Sequence, residues 1–216
     1  MIMFVRERMT RHPVTIDQDT SVTDALNFMR QNRVRRLPVL DKKGRLVGIV
    51  SEKDLLYASP SPATSLSVYE IGYLLSRLKV KEIMTRDVIT VDDDCFLEEA
   101  ARIMVDHRIG GLPVLHDEEL VGIITETDLF KVLLEMVGAR EQGLRASLSV
   151  PDKPGILAAL TGEIAQRGGD IVALGTSYGE DRTRGHITMK VQGLSREDLL
   201  QSIERIGGQV LDIREV

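Results

Sequence analysis

Apolar positions along the chain follow two rhythms that alternate. Val14 to Ile16 is a short apolar run that predicts a strand. Val22, Ala25, Leu26 and Met29 then recur at helical spacing, and Ser21 with Asp24 three positions on predicts a capping box at the start of that helix. Leu37 to Leu40 reads as a second strand. Asp41-Lys42-Lys43-Gly44 reads as a turn, because glycine tolerates left-handed backbone. Leu46 to Val50 is an almost unbroken apolar run, which predicts a strand covered on both faces. Ser51 opens a second helix, so the unit reads β-α-β-β-α.

The same pattern returns. Met9-Thr10-Arg11 recurs as Met84-Thr85-Arg86, an offset of 84 − 9 = 75 that also relates Thr15 to Thr90, Met29 to Met104 and Arg33 to Arg108. Leu37-Pro38-Val39-Leu40 recurs whole at 112–115. The offset then falls to 74, so that Leu46-Val47-Gly48-Ile49 matches 120–123 and Asp54 matches Asp128. A one-residue deletion in a turn accounts for the slip. One unit of this size has too small a core to stand alone, so two copies are expected to pack about a pseudo-twofold axis. The repeats are assigned to 1–60 and 80–140. They are joined through a flexible or extended Ser59-Pro60-Ser61-Pro62 connector and a linker assigned to 61–79. It holds a helix capped by Ser67 and Glu70, with an apolar face of Val68, Ile71, Leu74, Leu75 and Leu78.

From 143 to 216 the order changes. Strand Arg145–Val150, helix Ile156–Arg167, strands Ile171–Ser177 and His186–Val191 joined by a polar hairpin at Gly179-Glu180-Asp181-Arg182, helix Ser195–Ile206 and strand Val210–Val216 give βαββαβ, a ferredoxin-like split. The whole is an α/β (α+β) chain.

Composition narrows the function. The 216 residues carry a net charge of −5. Residues 1–142 hold 19 basic and 23 acidic side chains (19 − 23 = −4) and the remaining 74 hold 9 and 10 (9 − 10 = −1), which argues against nucleic acid as a partner. The single cysteine, Cys95, cannot form an intrachain disulfide. The apolar run of the leading Met1–Thr10 segment is too short for a signal peptide, and no run approaches a membrane span. A cytoplasmic location without membrane contact is the expectation. No phosphate loop, dinucleotide fingerprint or His-Glu-x-x-His motif is present, and His12, His107, His116 and His186 are scattered, so neither a catalytic constellation nor a metal site is expected. Cys95, after Asp92-Asp93-Asp94, aligns with Thr20 and is read as a capping or packing residue.

The chemistry that remains lies where each repeat ends: Gly48-Ile49-Val50-Ser51-Glu52-Lys53-Asp54 and Gly122-Ile123-Ile124-Thr125-Glu126-Thr127-Asp128. A strand runs into a hydroxyl residue that starts a helix, with an acid three residues on. This suits a capping box. It also suits a ribose-phosphate, since helix N-termini offer free N–H groups to anions and a carboxylate can accept from a ribose diol.

With the Met-Thr opening, the Leu-Pro-Val strand and the Gly-x-x-(Ser/Thr)-x-x-Asp ending, each present twice, residues 1–140 resemble a pair of CBS domains, the Bateman module. The resemblance implies an adenosine ligand such as AMP, ADP, ATP or S-adenosylmethionine. Ser51 and Asp54 would hold the ribose and phosphate in one site, and Thr125 and Asp128 in the other. Thr15 and Thr90 would lie near the base, and Pro38 and Pro113 would shape the adenine pocket. Arg33, Arg35 and Arg36 precede Leu37, whereas Arg108, Ile109, Gly110 and Gly111 precede Leu112. The first site is therefore expected to prefer di- or triphosphates. The second, with Arg108 alone and glycines that let a ligand approach the backbone, would bind less charged compounds or none.

The last 74 residues resemble an ACT domain through Val150-Pro151-Asp152-Lys153-Pro154-Gly155-Ile156-Leu157 and Gly169-Asp170-Ile171-Val172. That implies an amino acid bound at a dimer interface, with Asp152, Gly155, Ile156 and Asp170 as contacts. The combination resembles the AcuB family of acetoin utilisation proteins. It implies a homodimeric regulator with adenosine nucleotide as its ligand, no catalytic cofactor, and a client protein in acetoin or acetyl-unit metabolism. A structural subunit with non-binding pockets and a nucleotide-using enzyme are the alternatives.

Overall fold

A short helix α1 (Val5–Arg8) and strand β1 (Thr10–Arg11) lead into the first repeat, which runs β2 (Ile16–Asp17), α2 (Val22–Asn32), β3 (Arg36–Leu40), β4 (Leu46–Ser51) and α3 (Glu52–Tyr57). The linker helix is α4 (Val68–Arg77). The second repeat runs β5 (Val91–Asp92), α5 (Leu97–His107), β6 (Gly111–His116), β7 (Glu119–Thr125) and α6 (Glu126–Met136). The computed structural model describes residues 3–58, 67–178 and 183–216. The connector at Ser59–Pro62, the Gly179–Arg182 hairpin and the side chains of Val68, Ile71 and Leu74 lie outside the described residues.

Local chemistry sets these elements as the pattern predicts. Ser21 Oγ donates to Asp24 Oδ2 at 2.6 Å and accepts from the Asp24 N–H at 3.1 Å, closing the start of α2. Ser67 and Glu70 do the same for α4. Gly44 takes a φ of +78° in the turn between β3 and β4. Strands β2 and β3 are parallel and β3 and β4 antiparallel, the geometry that a helical crossover followed by a hairpin requires. Val22, Ala25 and Met29 of α2 are buried with Leu37, Val39, Val50 and Leu55, and Leu75 and Leu78 pack against the same cluster. Met29 and Met104 are thus core residues, while Met136 is exposed.

The two repeats exchange their leading segments. Strand β1 pairs with β7 of the second repeat, Thr10 opposite Ile123 and Arg11 opposite Gly122. Reciprocally, Thr85 and Ile49 exchange two backbone hydrogen bonds of 3.0 Å each. Val5 and Val80, equivalent by the offset, are both fully buried. The Val22 N–H that begins α2 donates to Leu78 O at 2.9 Å, and the Leu97 N–H that begins α5 donates to Met3 O at 2.8 Å. Backbone donors that each helix leaves unpaired are thus satisfied by the segment leading into the other repeat. The exchange also explains two glycines whose backbone is not left-handed. A Cβ on Gly122 would strike Met9 Sδ, and a Cβ on Gly48 would strike Met84 Sδ. Each methionine of the Met-Thr pair fills the space that the other repeat's glycine leaves open.

The chain divides into two compact units, Met1–Leu129 and Phe130–Val216, the division falling inside α6. The second contains β8 (Leu144–Pro151), α7 (Ile156–Gln166), β9 (Asp170–Tyr178), β10 (Arg184–Gln192), α8 (Arg196–Arg205) and β11 (Gln209–Glu215). Its sheet is antiparallel throughout, in the order β11-β8-β10-β9, the ferredoxin-like arrangement. Ala146, Leu148 and Val150 of β8 and Ile187, Met189 and Val191 of β10 face Leu160, Ile164, Leu199 and Ile203 of the helices.

Lys190, on β10, is buried, and its ammonium donates to Gly138 O at 2.7 Å and Glu141 O at 2.8 Å. Lys190→Met would keep the apolar stem but leave these carbonyls short of a donor. We expect a loss of about 2 kcal/mol in denaturant unfolding of this unit; an unchanged midpoint would show that the clamp contributes nothing.

Candidate ligand-binding clefts

Strand β4 delivers Ser51 to the rim of the sheet, and α3 begins there. Ser51 Oγ donates to Asp54 Oδ2 at 2.6 Å, the Ser51 N–H donates to the same oxygen at 2.8 Å, and the Asp54 N–H donates back to Ser51 Oγ at 3.3 Å. This is a complete capping box. Thr125 and Asp128 make two of the same bonds, with Thr125 Oγ1 donating to Asp128 Oδ2 at 2.7 Å and the Thr125 N–H to the same oxygen at 3.1 Å. Ser195 and Asp198 make similar bonds at the start of α8. Hydrogen bonding alone therefore does not separate a ligand site from a cap.

What separates Ser51 and Asp54 is the cavity they line, of about 490 Å³. Its walls come from both repeats: Arg35, Arg36 and Ile49 from the first, and Thr85, Val88, Ile89, Arg108, Ile109 and Pro113 from the second. Four cations (Arg35, Arg36, Lys53, Arg108) and four carboxylates (Glu52, Asp54, Asp87, Glu126) line it. Arg108 thus stands in the cleft with Ser51 and Asp54, together with Arg35 and Arg36, and Pro113 lines that same cleft. Arg33, its equivalent by the offset, is exposed at the end of α2 and does not line the cleft. Pro38 is buried in β3, and Thr15 and Thr90 are half-buried just before β2 and β5; none of these three lines the cleft, nor do Thr125 and Asp128. Thr85, Asp87, Val88 and Ile89 carry no site role in the sequence pattern. The repeated Met-Thr-Arg that introduces them was the available signal, since a segment exchanged between repeats carries its neighbours into the other repeat's site.

The glycines before Leu112 line the cleft and also stand against Arg36. A Cβ on Gly110 would strike a terminal nitrogen of Arg36, and a Cβ on Gly111 would stand 3.2 Å from Arg36 Cδ. The two glycines make room for a side chain of the other repeat. Burial and the neighbouring Arg35 hold the Arg36 guanidinium below its ordinary pKa, against the opposing pull of Glu126 and Asp54.

A family profile for the CBS domain matches residues 5–61 and 80–135. The chain belongs to the CBS-domain family. A second profile, for the TTHA0829-like ACT domain, matches 142–214, so the tandem CBS pair is followed by an ACT domain. A Methanocaldococcus jannaschii protein is 33% identical over 156 residues, 62% of this chain and 92% of its own length. A CBS domain-containing protein of Dictyostelium discoideum is 34% identical over 138 residues, 63% of this chain and 95% of its own. Among solved structures, Vibrio cholerae AcuB shows a TM-score of 0.53 at 33% identity, over 65% of this chain and 96% of that one. CBSX2 in complex with AMP shows 0.51 at 33%, over 61% and 96%. The CBS pair of MJ0100 in complex with 5-methylthioadenosine and S-adenosylmethionine shows 0.52 at 27%, over 65% and 100%. Inosine-5'-monophosphate dehydrogenase of Nitrosopumilus maritimus is 34% identical over 122 residues, but these are only 22% of that enzyme: its likeness is confined to the CBS part.

In the ACT domain, Asp152 and Ile156 line a cavity of about 180 Å³ with Thr176, Tyr178 and His186. Gly155, with a φ of +85° at the start of α7, borders a separate cavity beside Lys153 and Arg205. Asp170, exposed at the start of β9, lines neither. Elsewhere, burial and the carboxylates of Glu99, Asp92 and Asp94 push the Cys95 thiol up, away from a reactive thiolate. The hydrogen bond to Asp93 raises His116. Among the described residues no group of three or more metal-ligating side chains assembles, and no helix is long and apolar enough to cross a membrane.

Proposed function

We propose that this CBS–ACT protein is a ligand-sensing regulator. The CBS pair binds an adenosine ligand of the AMP, ADP, ATP or S-adenosylmethionine class in the cleft at Ser51 and Asp54, and the chain passes that state to a client protein. One observation carries the reading: guanidiniums of both repeats converge beside a hydroxyl–carboxylate pair at a helix start, in a cavity of a size suited to a small-molecule ligand. All three side-chain and backbone bonds between Ser51 and Asp54 use the single oxygen Oδ2 or Ser51 Oγ, which leaves the geometry of Oδ1 suited to a ribose diol. The complexes of CBSX2 and MJ0100 support the ligand class.

Thr125 and Asp128, with Thr15 and Pro38, belong in this reading to the pseudo-symmetric second site, and Thr90, next to the Ile89 that lines the first cleft, belongs to the first. In the ACT domain, Asp152, Gly155, Ile156 and Asp170 would receive an amino acid, the protein acting as a homodimer in the cytoplasm. The likeness to AcuB supports a client in acetoin or acetyl-unit metabolism. A regulator must bind its ligand unequally in two states. Calorimetric titration of the full chain with the four adenosine compounds tests the core of this. Saturable heat with at least one is expected; no heat with any would reject it.

A further inference from the structure

Eight ionisable groups face the cleft, yet they are not equivalent. Asp54 is committed to its box with Ser51. Glu126 stands differently. The point where a Cβ would lie on Gly110 is met from one side by a terminal nitrogen of Arg36 and from the other by Glu126 Oε2, 2.6 Å away. Arginine and carboxylate therefore face each other across a glycine that has no side chain to part them. Among the surrounding charges, Glu126 acts on Arg36 more strongly than Arg35 or Asp54 does. Arg36 comes from the first repeat and Glu126 from the second.

Resting on the reading that this cleft takes an adenosine ligand, we propose that Glu126 is a specificity-determining residue. It is a carboxylate that competes with the ligand's phosphates for Arg36 and so weights the cleft against the most highly charged nucleotides. A phosphate drawn to Arg36 meets Glu126 at close range. The repulsion grows with the number of phosphates and is absent for an uncharged or cationic group in that place. Glu126 lies at the first position of α6 and is exposed, so exchanging its carboxylate for an amide leaves packing untouched.

The test is calorimetric titration of AMP and ATP into the full chain, Glu126→Gln, Arg36→Ala and the double variant. Glu126→Gln should tighten ATP relative to AMP by about tenfold, the scale of one removed charge at a partly screened site. The gain should vanish when Arg36 is already Ala, because the two residues act as a pair. If both nucleotides bind every protein and the ATP-to-AMP ratio does not move in Glu126→Gln, or moves equally without Arg36, the assignment of Glu126 is overturned while the ligand reading stands. If neither AMP nor ATP binds the natural chain but S-adenosylmethionine or ADP does, the assignment of Glu126 is likewise overturned while the ligand reading stands; if none of the four adenosine compounds binds, the ligand reading itself fails and takes this one with it.

Discussion

Replacing Gly48 by Val will unfold the CBS pair under conditions where the natural chain is intact. A Cβ there would strike Met84 Sδ and stand 2.9 Å from Met84 Cγ and 3.1 Å from Thr85 O, and the branches of Val would add to both collisions. Met84 can turn aside, but Thr85 cannot, because its N–H and carbonyl are both bonded to Ile49 at 3.0 Å. Overpacking of this kind costs about 3 kcal/mol when backbone must shift. The loss should appear as a fall in thermal and denaturant midpoints of the CBS transition. Met84→Ala in the same chain should restore part of it by opening the space, and no restoration would mean that the Thr85 contact dominates. Ligand binding should weaken in parallel, since Thr85, Asp87, Val88 and Ile89 line the cleft. An unchanged midpoint for Gly48→Val would contradict the exchange of leading segments.

The second large effect concerns the ligand. Arg35→Ala with Arg36→Ala should weaken ATP binding roughly 30-fold, the loss expected from one or two charge-assisted hydrogen bonds, and weaken AMP less because fewer phosphates are involved. Arg35 is exposed and Arg36 half-buried over the glycines, so folding should survive the double change. Calorimetry of the two nucleotides against the variant reads the difference directly. Equal affinity for both proteins would place the phosphates elsewhere.

Most of the fold is legible in the residues themselves. Ser21, Ser51, Ser67 and Ser195 mark helix starts because an oxygen at that position and an acid three residues on satisfy orphan N–H groups locally. Such signals need no tertiary information. The exchange of leading segments is not legible, because a repeat offset shows which residues are equivalent and not which copy they pack on. Met9 against Gly122 and Met9 against Gly48 are the same pattern in sequence.

The composition of the cleft follows from that choice. Arg108 and Pro113 line the cleft with Ser51, and Gly110 and Gly111, which line it as well, leave room there for the side chain of Arg36. The Ser51–Asp54 spacing was ambiguous for a different reason. A cap and a ribose contact use the same atoms, and only the cavity around Ser51, which is absent from sequence, distinguishes it from Ser195.

Crystals of the full chain soaked in ATP, AMP or S-adenosylmethionine provide the decisive measurement. Density for an adenosine moiety should appear with its ribose hydroxyls on the Asp54 carboxylate and, for the nucleotides, its phosphate oxygens within hydrogen-bond distance of Arg36 or Arg108. A cleft that stays free of all three compounds, or a ligand ordered away from Asp54, would contradict the account.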